Sequence, residues 1–75
     1  MKYQIIEKSF TWVIFIDAHC ISTLCQIADL IEKTFPESVN EVTHNRKANQ
    51  GNIIIQKQDS DMIDKIKKLI HDYTE

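Results

Sequence analysis

The sequence predicts an α+β fold, a ββαββα sandwich in which a four-stranded, mainly antiparallel sheet carries two helices on one face. Three observations point there. "SFTWVIFID", residues 9–17, contains an unbroken run from Trp12 to Ile16 rich in β-branched and aromatic types, the composition of a strand. Two later stretches repeat apolar residues at helical spacing. The only proline, Pro36, and the only glycine, Gly51, both fall at junctions between patterned stretches. No repeat, low-complexity tract or linker divides the chain, so residues 1–75 read as a single α+β domain.

From the N-terminus, "KYQIIE" reads as a first strand, "KS" as a tight connection and "FTWVIFI" as its hairpin partner. A helix follows from about Ile21 to Phe35, with Ile21, Leu24, Cys25, Ala28, Ile31 and Phe35 along one face. Pro36 ends it, because the residue before a proline is pushed out of the helical region. "SVNEVT", residues 38–43, alternates like a strand, the polar stretch "HNRKANQG" makes a long tip, and "NIIIQK" resumes as the partner strand. The last segment, "DSDMIDKIKKLIHDY", offers Asp59 or Ser60 as a helix cap and places basic residues toward its end, which suits the helix dipole. Its buried stripe is predicted to be Met62, Ile63, Ile66, Leu69, Ile70 and Tyr73, with Ile31, Ile66 and Leu69 in the core shared by the helices.

Composition narrows the function. A 43% hydrophobic and 27% charged chain is that of a globular domain, although 75 residues bury only roughly 60 to 65% of the unfolded surface. The formal net charge of -2 lacks the basic excess of a nucleic-acid binder. The longest apolar run is far short of the ~20 residues of a membrane helix, and the N-terminus shows no secretory signal pattern. Cys20 and Cys25 are too few for a disulfide framework and lack redox spacing. These features predict a cytoplasmic protein with reduced thiols and neither nucleic-acid nor membrane partners.

Candidate chemistry is sparse. His19, Cys20, Cys25, His44 and His71 supply zinc-binding residue types, but Cys20 and Cys25 would stand roughly 140° apart around a helix, so no metal site is predicted. Cys25 reads as a core residue. Cys20, at a helix start beside His19, has the setting of a lowered thiol pKa, yet lacks an oriented base and an oxyanion loop, so no catalytic residue is assigned. The tip residues His44, Arg46 and Lys47 are a candidate contact for an anion or an acidic partner, and long polar tips are otherwise simply solvated. The tip lacks a phosphate-cradling loop, and no cofactor is predicted.

The strand that is apolar on both sides carries the main functional expectation. Two helices cover one face of a four-stranded sheet, which leaves alternate members of the central strands facing outward. Val13, Phe15, Val42 and Ile54 are the candidates, in a register that a one-residue shift would invert. An apolar sheet face left open marks an interface with a protein partner or a second copy.

The order of elements and the segments "YQIIEKSFTWVIFID", "PESVNEV" and "NIIIQ" resemble the N-terminal domain of the kinase A inhibitor family, whose members are also known as noncatalytic components of allophanate hydrolase and 5-oxoprolinase. Tyr3, Ser9, Val13 and Phe15 fall where that pattern places them, whereas Glu7 and Lys8 stand where the family has Gly-Asp. Members of the family usually continue into a cyclophilin-like β domain, which these 75 residues do not include. The resemblance implies a regulatory or noncatalytic interaction module without enzyme activity of its own. Two alternatives stay open: an assembly component of an amide or lactam (5-oxoproline or allophanate) hydrolase complex, and a regulatory α+β domain sensing a small ligand through its basic tip.

Overall fold

The computed structural model describes residues 2–18 and 20–74. Its elements are β1 (Tyr3–Glu7), β2 (Thr11–Asp17), α1 (Ile21–Thr34), β3 (Val39–Asn45), β4 (Gln50–Gln56) and α2 (Met62–Thr74). The strands form one antiparallel sheet in the order β1-β2-β4-β3, which puts β2 and β4 at the centre and leaves β1 and β3 as edges. The predicted α+β architecture is therefore the observed one, with every strand pair antiparallel.

Strand periodicity decides which residues meet the helices. Trp12, Ile14 and Ile16 of β2 stand opposite Ile55, Ile53 and Gly51 of β4, and all six are buried. Over them lie Leu24, Ile27, Ala28, Ile31 and Phe35 from α1 and its end, and Met62, Ile66 and Ile70 from α2, in one continuous core. Each fully buried aliphatic side chain contributes about 1.5 to 3 kcal/mol from water exclusion, so this layer is the main source of stability.

Several expectations shift. Phe10 lies in the turn before β2 and is 76% exposed, so it does not join the Trp12 face. The stripe of α1 is rotated from the predicted one: Ile27 is buried, while Ile21 and Cys25 are exposed. Starting the helical count at Leu24 gives Ile27, Ala28 and Ile31, whereas starting it at Ile21 draws in Cys25. Leu69 is half-buried at the margin of the core, and Ile66 and Ile70 take the central places. The second hairpin is also longer than predicted, because Asn45 and Gln50 still pair and only residues 46–49 make the tip.

Gly51 does not mark a junction. It is buried within β4, and a Cβ placed on it would come 2.5 and 2.6 Å from the two Leu24 Cδ atoms. The glycine is needed for close approach of α1 to the sheet. At the second helix, the Asp59 carboxylate accepts the Asp61 N–H at 2.9 Å, which folds the turn that leads into α2.

Candidate functional site

Opposite the helices, the sheet presents the other half of its alternating side chains. Cross-strand register aligns Ile6 of β1, Val13 of β2 and Ile54 of β4 in one row, with Glu41 of β3 at its end. The neighbouring row runs Gln4, Phe15, Asn52, Thr43. Val13, Phe15 and Ile54 are half-buried by one another on the sheet surface, and Ile6 is 38% exposed. The result is an apolar band across three strands with amide and hydroxyl side chains around it. Two acids, Asp17 and Glu41, stand on the same face.

Three of the four predicted face residues are thus brought together, and Val42 is not. Val42 pairs with Ile53 and packs against the core. The cause is a register shift between Val39 and Glu41, an irregularity that lets Val39 and Val42 both reach the helix side although three residues separate them. Ile6 takes the place of Val42 in the apolar band. The signal for Ile6 lies in the hairpin itself, since counting across the turn sets it opposite Val13.

The basic tip does not form a common site. His44 is half-buried on the helix side, opposite Gly51, with Nε2 2.9 Å from the Ala18 carbonyl oxygen. That contact ties the end of β3 to the segment after β2. Arg46 and Lys47 are exposed in the tip, which is closed by the Asn45 Oδ1 accepting the N–H groups of Lys47 (3.0 Å) and Ala48 (3.2 Å). The polar residues here serve mainly to make the turn, with Asn49 at a φ of 50°.

A shallow cleft on the helix side has no counterpart in the sequence pattern. It is lined by Glu7, Trp12, Lys57, Asp59, Ser60 and Ile63. The Lys57 ammonium lies 5.2 Å from the Trp12 ring centre and 2.8 Å from the Glu7 carboxylate, so its charge is already matched. No helix among the described residues is long and apolar enough to cross a membrane. No three His, Cys, Asp or Glu side chains among them form a metal-sized group.

Cys20 is the most perturbed titratable group. It occupies the N-cap position of α1, exposed, with Sγ 3.0 Å from the Ser22 hydroxyl oxygen and 3.4 Å from that of Thr23. Hydrogen bonds from these hydroxyls, Ser22 first, favour the thiolate and lower the thiol pKa from 9.0 to about 7. His19, the neighbour considered as its base, lies outside the described residues. Alkylation of Cys20 should therefore rise with pH through a midpoint of about 7, and Ser22→Ala should move that midpoint upward. A midpoint of 9.0 in the unaltered protein would contradict the hydroxyl contacts.

No family model, curated protein or solved structure matches the chain.

Proposed function

We propose that the chain is a small protein-interaction module, regulatory or noncatalytic, that docks a larger companion on the helix-free face of its sheet. The observation that carries this reading is the band of Ile6, Val13, Ile54 and Phe15 on a face that neither helix covers. Apolar side chains at the centre of a flat surface, ringed by Gln4, Thr43, Asn52 and Gln56, have the layout of a contact patch with a polar rim. Asp17 and Glu41 specify the partner's chemistry further: an apolar patch flanked by lysine or arginine. The resemblance to the kinase A inhibitor family supports a role of this kind.

Phe15→Lys is the direct test. It places a charge in the middle of the band, where a docked partner would have to desolvate it. The variant should retain the helical circular-dichroism signal while losing the companion that the unaltered chain retains in a pull-down from its own cell extract. Lys68→Glu, on the exposed side of α2, is the control and should keep it. Retention of the same companion by Phe15→Lys, or unfolding of that variant, would show that the face is not the docking surface.

A further inference from the structure

The two edges of the sheet differ in a way that bears on self-association. β3 is an irregular edge, with the register shift between Val39 and Glu41 and exposed Asn40, Glu41, Thr43 and Asn45. Bulges and polar side chains of this kind blunt an edge against further pairing. β1 has neither device. Its five residues, "YQIIE", pair with β2 without a shift, and two of the large exposed hydrophobic residues, Tyr3 and Ile6, belong to it.

The hydrogen bonds of the first hairpin fix which groups of β1 are free of β2. Lys8 N–H donates to the Thr11 carbonyl at 2.8 Å, and Asp17 N–H donates to the Lys2 carbonyl at 3.0 Å. In an antiparallel ladder bonded pairs alternate, so the even-numbered residues of β1 point their main-chain groups toward β2. Tyr3, Ile5 and Glu7 point theirs outward, at the sheet edge.

From this pattern we infer that β1 pairs antiparallel with β1 of a second copy, about a two-fold axis at Ile5, to join two sheets into one of eight strands; this rests on the reading that the chain works through protein contacts and names a partner for its edge. Centred at Ile5, each copy's Tyr3 faces Glu7 of the other, and Ile5 faces Ile5. All three outward residues then exchange both N–H and C=O, giving six main-chain hydrogen bonds. A two-fold at Gln4 or at Ile6 leaves one outward residue of each strand without a partner inside it. Side chains agree with the same register. The helix-side row Ile53, Ile14, Ile5 continues into Ile5 of the second copy, and the open-face row Ile54, Val13, Ile6 ends beside that copy's Gln4. No like charges face each other within the paired strands. Lys2 and Lys8 of opposite copies meet just beyond them, so added salt should strengthen the association.

Sedimentation and amide hydrogen exchange test this together. At high concentration the chain should sediment at twice its 8.8 kDa mass, with the Tyr3, Ile5 and Glu7 amides protected, and dilution should release that protection. Ile5→Pro removes the central outward N–H and should weaken dimerisation about tenfold or more, while Ile5→Thr keeps the N–H and should still dimerise. If Ile5→Pro does not fold, Glu7→Pro at the strand end removes another outward N–H and applies the same criterion. A monomer at every concentration would overturn the inference. So would a dimer in which these three amides exchange as free edge groups. If Phe15→Lys dissolved such a dimer, the open-face reading would stand and the edge inference alone would fall. Conversely, a β1-paired dimer with Phe15→Lys failing to disturb any companion would separate the two in the other direction.

Discussion

Ile66→Ala is expected to remove a large share of the protein's stability. Ile66 is 0% exposed and lies in the central layer of α2 between Met62 and Ile70, which are also fully buried. Truncating a fully enclosed isoleucine loses its transfer free energy and leaves a cavity, about 2 to 5 kcal/mol in all. A chain of this length has roughly 4 to 11 kcal/mol to lose, so the variant should be partly unfolded without denaturant or melt well below the parent. Leu69→Ala supplies the comparison. Leu69 reaches only the margin of the core, so its truncation should cost about 1 to 2 kcal/mol and lower the denaturation midpoint modestly. Equal midpoints for the two variants would contradict the observed orientation of α2. A near-parental Ile66→Ala would do so more directly.

Isoleucine and leucine look alike in the helical pattern, and that explains what the sequence can and cannot disclose. The element order is legible because each segment carries its own period: five apolar residues in a row for β2, three-and-four spacing for both helices, and Pro36 as a stop. The rotation of each helix is less legible. On α1, Cys25 and Ile27 compete for the same stripe, and only packing against Gly51 and the sheet selects Leu24 with Ile27. Val42 reads onto the wrong face because a one-residue irregularity near Asn40 leaves no composition signal, yet inverts every later side chain relative to a regular strand. His44 looks available at a polar tip, whereas the longer hairpin draws it into the ladder and turns its ring to the Ala18 carbonyl. The open face itself is readable in outline, since Val13 and Phe15 cannot share a side with Trp12 and Ile14.

Gly51→Ala and Leu24→Ala should each be destabilising, and the pair should be much less so than their sum. In the parent, Leu24 fills the space that a residue-51 Cβ would occupy, at 2.5 to 3.0 Å from three of its side-chain atoms. Leu24 is 0% exposed and has no open side into which to swing, so Gly51→Ala forces α1 away from β4 at a cost of about 1 to 3 kcal/mol. Leu24→Ala instead leaves a void, at a cost of about 2 to 5 kcal/mol. In the double variant the residue-51 methyl enters the vacated space without overlap. Chemical denaturation of the four proteins should therefore give a favourable coupling of about 1 to 3 kcal/mol. The same displacement should reach Cys20, which lies one turn before Leu24 at the start of α1. In Gly51→Ala its contacts with Ser22 and Thr23 should loosen and its alkylation midpoint should rise above about 7, and Leu24→Ala in that background should bring it back. Strict additivity of the two substitutions would mean that Gly51 and Leu24 do not share that space, and the close approach of α1 to the sheet would then need another explanation.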